Sequence, residues 1–108
     1  MEVHNTLGVG LLEVVYKDAL EYEFNKQGIL FQRERQFPVK CKDALLPHCF
    51  YADFVVQDKI ILEIKCVSKI IDEHIKQTLN YLGISKCKLG IIINFGEESL
   101  TFKRVILT

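Results

Sequence analysis

The stretch YADFVVQDKIILEIKC, residues 51 to 66, places an aspartate, a glutamate and a lysine inside two runs that otherwise have the composition of buried β-strand. Side chains alternate along a strand, so Glu63 and Lys65 emerge on one face with Ile61, roughly 7 Å apart at ~3.3 Å per residue, while Ile60, Leu62 and Ile64 face the other way. Asp53 lies in the preceding run. Two carboxylates brought together in apolar surroundings repel each other and lose hydration, which drives one of them towards protonation. A divalent cation removes that penalty. Hard oxygen ligands from one or two carboxylates, with room for water and phosphate, suit Mg²⁺ or Mn²⁺ rather than zinc. A lysine beside them could orient or help to deprotonate a metal-activated water and offset phosphate charge. The chemistry in outline is metal-assisted phosphodiester hydrolysis.

One residue of register decides whether Asp53 and Glu63 meet. A two-residue loop at Asp58 and Lys59 sets Asp53 opposite Ile64 and sends the carboxylates to opposite faces, whereas a three-residue loop or a bulge pairs Asp53 with Glu63. Neither Asn-Gly nor Asp-Gly is present to impose the tight primed turn. Both registers stay open, and our working expectation is the one in which the carboxylates share a face. The competing picture is a hairpin with a solvated face on which Glu63 and Lys65 form a weak surface pair. Apolar runs on both sides of the charges weigh against it.

These residues need elements to position them. Residues 6 to 27 carry Leu12, Val15, Tyr16, Ala19, Leu20 and Phe24 at helical spacing and stop at Gly28, which predicts a first helix capped there. LFQRERQFPVKC, residues 30 to 41, alternates Phe31, Arg33, Arg35, Phe37 and Val39 against a mostly polar set, and Pro38 places that strand at an edge or at a bulge. A turn-like KDALLP leads to CFYADFVV and KIILEIKC, a predicted hairpin in which Asp53 shares a face with Tyr51 and Val55, opposite Phe50, Ala52, Phe54 and Val56. IIDEHIKQTLNYLG returns to helical spacing with Gly83 as the stop. KLGIIINFG then reads as a strand covered on both faces, and SLTFKRVIL as a final alternating strand.

Further polar residues border the helical apolar stripes. His74, Gln77 and Tyr81 lie within about 60° of arc on the second helix, and Glu13 lies one turn from Tyr16 and Lys17 on the first. Each has a plain structural use: Tyr81 as a core aromatic with a wet hydroxyl, Gln77 as surface, and Glu13 as the i,i+4 partner of Lys17.

A chain of 108 residues has room for one domain. Its formal net charge is zero, so any polyanion must be held locally, for example by Arg33, Arg35, Lys40 and Lys42 or by a bound cation. No segment is long and apolar enough to cross a bilayer, and MEVHNTLG lacks the layout of a signal peptide, so a cytoplasmic protein is expected. Cys41, Cys49, Cys66 and Cys87 are too dispersed for a zinc or iron-sulfur site and are expected to be reduced, mostly buried thiols.

Taken together, Gly10, Glu13 and Tyr16 in GLLEVVY, Asp53 in YADFVV, Glu63 and Lys65 in EIK, Gln77 and Tyr81 in QTLNYL, and Asn94, Phe95 and Gly96 in INFG resemble the PD-(D/E)XK nuclease superfamily. More narrowly they resemble the GxxExxY family and the RecB-like branch, over nearly the whole chain. The resemblance implies an α/β fold with a restriction-endonuclease-like core, α-β-β-β-α-β plus a final strand, in which helices flank a mixed central sheet. It implies that Asp53 and Glu63 hold Mg²⁺ or Mn²⁺ with the Ile64 carbonyl, that Lys65 is the catalytic lysine, and that Glu13 reaches the metal or its waters. Gln77, Tyr81 and Tyr16 would contact substrate, and His4 is a weaker carry-over as a metal ligand. Ala52 stands where the superfamily name has proline, which leaves the aspartate in place. The four-cysteine cluster of some relatives is absent from the sequence, so no iron-sulfur cluster is expected. The implied function is a metal-dependent nuclease acting on DNA, working as a homodimer or with a partner protein. The alternative is a catalytically silent nucleic-acid-binding or protein-interaction module.

Overall fold

The computed structural model describes residues 13–41 and 44–107. Its elements are α1 (Glu13–Lys26), β1 (Phe31–Cys41), β2 (Ala44–Val56), β3 (Ile60–Lys65), α2 (Asp72–Ser85), β4 (Leu89–Asn94) and β5 (Thr101–Ile106). The strands form one five-stranded sheet in the order β1-β2-β3-β4-β5. Neighbours are antiparallel except β3 and β4, which run parallel. A parallel pair needs a long crossover, and α2 provides it. The result is the mixed, helix-flanked sheet of a restriction-endonuclease-like core.

The two helices cover opposite faces. Tyr16 and Leu20 of α1 pack with Phe54, Leu62, Ile64, Ile93 and Phe95, while Leu82 of α2 packs with Phe50, Ala52, Val55, Ile61, Ile92 and Val105. β3 and β4 therefore bury both of their faces, which is why their sequences are mostly aliphatic, with Glu63 and Lys65 as the charged exceptions in β3. Each such aliphatic or aromatic side chain contributes ~1.5–3 kcal/mol of burial.

Local signals set most of the boundaries. After α1, Gly28 takes φ +68° and the Ile29 N–H donates to the Phe24 carbonyl at 2.9 Å, closing a Schellman cap. Pro38 lies on the edge strand β1, and the register with β2 shifts between Pro38 and Lys40. Two expectations are corrected. ALLP belongs to β2 rather than to a turn, since Ala44 pairs with Cys41 and Leu45 with Lys40. Gly83 does not stop α2, which continues to Ser85 and ends at Lys86 in the left-handed region, φ 70°, with the Lys86 N–H on the Leu82 carbonyl. Packing of Leu82 and Ile84 on the sheet outweighs the ~1 kcal/mol that a helical glycine costs.

Candidate active site

The hairpin register takes the odd loop. β2 meets β3 through Phe54↔Leu62, Val55↔Ile61 and Val56↔Ile60, which leaves Gln57, Asp58 and Lys59 in the loop; continued one step past the last pair, that register brings Asp53 to Glu63, whose Oε2 accepts the Asp53 N–H. Gln57 and Asp58 both adopt left-handed backbone, φ 53° and 57°, and the Lys59 N–H donates to the Val56 carbonyl at 3.1 Å. A primed turn thus forms without glycine, with Lys59 as the extra residue. Non-glycine residues in that region cost ~1–2 kcal/mol each, and a bond from the Gln57 N–H to the Leu30 carbonyl helps to hold the turn.

Just beyond this register the sheet opens. The β2–β3 ladder stops at Phe54 and Leu62, although β2 goes on pairing with β1 and β3 with β4. Carboxylates replace the missing ladder bonds: the Ile64 N–H donates to Asp53 Oδ2 at 2.7 Å and the Asp53 N–H to Glu63 Oε2 at 3.4 Å. Core packing records the same break. Ala52 belongs to the α2-side core while Phe54, two residues on, belongs to the α1 side; in β1, Phe31 lies with the α1 core and Phe37 with the α2 core. Glu34, in left-handed backbone at φ 54°, sits at the crossing. Simple alternation, which placed Phe31 with Phe37 and Val55 opposite Ala52, therefore fails here. Asp53 falls where the strand folds over, so both Glu63 and α1 can reach it.

Charge is concentrated at this seam. Lys17 of α1 places its Nζ 2.7 Å from Asp53 Oδ1, 2.9 Å from Glu34 Oε1 and 3.7 Å from Glu13 Oε1. Burial pulls the Lys17 ammonium down, but its hydrogen bonds to Asp53 and Glu34 outweigh that and hold it above its ordinary range. Glu63 is only 5% exposed. Burial, and then the charge of Asp53, push its carboxyl up to about 9, against a smaller lowering influence from Lys65. Glu13 is also raised, by burial first and by Asp53 second, with Lys17 and Lys65 opposing. The Lys65 charge is thus felt by both Glu63 and Glu13. Across the seam Tyr81 of α2 stacks on Phe50, with centroids 4.0 Å apart and planes at 3°. Burial, then Glu63 and Asp53, raise its phenol.

The exit of β3 is clasped. Asn94, fully buried, accepts the Val67 and Gly96 N–H groups on Oδ1 and donates through Nδ2 to the Val67 carbonyl and to Glu97. The Phe95 N–H donates to the Lys65 carbonyl at 2.8 Å. A Cβ on Gly96 would fall on the Val67 backbone. The INFG stretch therefore fixes the backbone immediately after Glu63 and Lys65.

The structure brings Asp53, Glu63, Lys65, Glu13 and Tyr81 to one seam, and Ile64 joins them through its backbone N–H while its side chain is buried in the core. It does not bring Tyr16 to a surface. That ring is fully buried and stacked on Phe95 at 4.3 Å, which corrects its expected contact with substrate: its place on the apolar stripe of α1 makes it core. Gln77 is exposed on α2, one turn before Tyr81. His74 uses Nδ1 to accept the Ile71 N–H at 3.1 Å and caps α2, because Ile71 has no polar side chain to do so. His4 and Gly10 lie outside the described residues. Arg33 pairs with Asp18 and Glu21 and Arg35 with Asp58, while the side chains of Lys40 and Lys42 lie outside the described residues. Cys49, Cys66 and Cys87 are free thiols, half-buried rather than deeply buried. Sequence reasoning missed Lys17 as the partner of Asp53; its signal was the position one turn after Glu13, which was assigned to a simple i,i+4 pair.

Among the described residues no group of three or more His, Cys, Asp and Glu side chains is placed to hold a metal ion. The Asp53–Glu63 pair nevertheless fits a hard divalent cation. Glu63 Oε1 is buried with no hydrogen-bond partner among the described residues, and Asp53 Oδ1 already takes a cation, the Lys17 ammonium. The carboxylates lie towards the carboxyl ends of β3 and β4, where open α/β sheets bind ligands. A cavity of about 500 Å³ between Asp58, Lys59, Ile60, Lys86, Cys87, Lys88 and Leu89 lies at the opposite strand ends, away from this chemistry.

The sequence matches the family model of the PD-(D/E)XK nuclease superfamily over residues 1–105. The chain belongs to that superfamily, whose members are usually nucleases acting on nucleic acid. No curated protein matches it. Among solved structures, the crystal structure of SSO0001 shares the fold, with a TM-score of 0.68 and 15% identity over 85% of this chain. The chain spans 48% of that structure's length. No helix among the described residues is long and apolar enough to cross a membrane.

Proposed function

We propose that the chain is a Mg²⁺- or Mn²⁺-dependent nuclease that hydrolyses phosphodiester bonds in DNA. The observation that carries this reading is the Asp53–Glu63 pair meeting where β2 and β3 part, with Glu63 Oε1 buried and without a hydrogen-bond partner among the described residues. Asp53 and Glu63 would hold the ion, with the Ile64 carbonyl and Glu13 completing its surroundings. Bound there, the ion would supply Lewis-acid polarisation of the phosphate and a more acidic water. Lys65, on the Glu63 face of β3, donates to the attacking water and offsets charge on the phosphate. Glu13, whose carboxyl is raised by burial and by Asp53, accepts a hydrogen bond from that water. Tyr81, fixed by its stack on Phe50, and Gln77 one turn away contact the nucleic acid.

The spacing of Glu13 with Tyr16 and of Gln77 with Tyr81 supports membership of the GxxExxY family and the RecB-like branch. We read residues 1–108 as a single nuclease-like domain in the cytoplasm, where the free thiols Cys49, Cys66 and Cys87 persist. So small a domain offers limited surface to a duplex, so a homodimer or a partner protein completes the groove. A second reading, a non-cleaving nucleic-acid or protein-interaction module, is favoured by Lys17 occupying Asp53 and by the zero net charge.

Cleavage of labelled single-stranded, duplex and branched DNA, and of RNA, with Mg²⁺ or Mn²⁺ tests the proposal. The parent should cut DNA, and Asp53→Ala and Lys65→Ala should each lose ~10²-fold or more of the rate. Activity equal in parent and both variants points to a contaminant and removes the nuclease reading. Binding without cleavage by the parent selects the module.

A further inference from the structure

Lys17 raises a problem for any metal at Asp53. Both oxygens of that carboxylate are in use, Oδ2 by the Ile64 N–H and Oδ1 by the Lys17 ammonium. Two cations on one carboxylate oxygen repel strongly in a half-buried seam. Glu63, by contrast, keeps one oxygen buried and unsatisfied among the described residues. At Asp53 the chain itself supplies the cation.

The surroundings of Lys17 also provide somewhere for it to go. Its side chain is 13% exposed and already shares its charge with Glu34 at 2.9 Å, a contact that does not depend on Asp53. Glu34 belongs to β1 and reaches α1 because its backbone is left-handed at the place where the strands change face. The adjacent Arg33 is held by Asp18 and Glu21, so its guanidinium is committed elsewhere. A lysine stem is flexible enough to exchange partners without moving the helix.

We propose that Lys17 is a built-in competitor of the divalent cation: its ammonium occupies the cation position at Asp53 in the metal-free protein and withdraws onto Glu34 when metal binds. The inference rests on the metal-dependent reading above and deepens it. Lys17 is a positioning residue that neutralises the Asp53 carboxylate before metal arrives, and Glu34 sets how readily the exchange occurs. Metal affinity is thereby lowered in return for a seam that stays folded without metal.

The test is calorimetric titration of the whole chain with MnCl₂, with unfolding midpoints in EDTA and in Mn²⁺, for the parent, Lys17→Met, Glu34→Gln and Asp53→Ala. Lys17→Met should bind Mn²⁺ about tenfold more tightly or better and show a larger Mn²⁺-induced rise in midpoint, from a lower midpoint in EDTA. Glu34→Gln should bind several-fold more weakly, because the ammonium then has only Asp53 and Glu13 to hold. Opposite signs in these two variants are what a merely structural lysine does not produce. Mn²⁺ binding that is lost in Asp53→Ala but no tighter in Lys17→Met overturns the role of Lys17 while leaving the metal site intact. Should Lys17→Met fail to fold, Glu34→Gln decides, and an affinity equal to or above the parent's overturns the exchange. If neither the parent nor Lys17→Met binds Mn²⁺, the metal reading falls and this inference falls with it.

Discussion

Glu63→Gln separates the electrostatics of the seam from its packing. In the folded protein burial, and then Asp53, hold the Glu63 carboxyl up to about 9, against an ordinary value of 4.5. Between those values the folded state binds a proton that the unfolded chain has released, so stability is fully present below 4.5 and falls as pH rises towards 9. The slope is about 1.4 kcal/mol per pH unit, hence of order 4 kcal/mol between pH 5 and pH 8 for metal-free protein. Glutamine has nearly the shape of the protonated acid and does not titrate. Urea unfolding in EDTA at pH 5, 6, 7 and 8 should show the parent losing stability relative to Glu63→Gln, by about 2 M in midpoint across the range for an m-value of ~2 kcal/mol/M. At pH 8 the variant should be the more stable protein. Parallel curves for the two would refute the reasoning, since they would mean that Glu63 is charged in the folded state or is not desolvated. The same variant should lose Mn²⁺ binding, which separates the stabilising effect of neutrality from the charge needed to hold metal.

Other consequences can be measured with the same protein. Because Glu63 must lose its proton to hold a cation, Mn²⁺ affinity measured by calorimetry should rise about tenfold per pH unit between pH 6 and 8, with proton release visible as a buffer-dependent heat. Gly96→Ala should destabilise by ~1–3 kcal/mol in urea, since its methyl meets the Val67 backbone rather than a side chain that can move. Phe50→Leu should leave Mn²⁺ binding within about twofold of the parent but weaken DNA binding in a fluorescence-anisotropy titration, because Tyr81 loses the ring on which it stacks.

Much of the scaffold was legible because local rules govern it. Gly28 ended α1 since only a residue tolerant of positive φ closes that cap, and Pro38 marked an edge strand with a register shift because it cannot donate to a ladder. The unbroken run LGIIIN announced a strand covered on both faces. Gly83 misled for the opposite reason: the end of α2 was set by the sheet beneath Leu82 and Ile84, which no local signal describes. Tyr16 misled because a stripe at helical spacing does not say whether a ring at its edge meets solvent or stacks on another ring in the core.

By itself the sequence determined which charges are available, Asp53, Glu63, Lys65 and Glu13, and that Glu63 and Lys65 must share a face, since alternation follows from the two-residue pleat of an extended strand. Tertiary structure decided that Asp53 joins them. The register of the hairpin depended on Gln57 and Asp58 taking left-handed backbone, a choice worth ~1–2 kcal/mol per residue that only contacts outside the turn can settle. The folding-over of β1 and β2 at Glu34 and Asp53, the opening of the sheet beside it and the arrival of Lys17 from α1 depend on how separate elements pack. Long-range packing has no periodicity in the chain, so the partner of Asp53 became visible only in three dimensions.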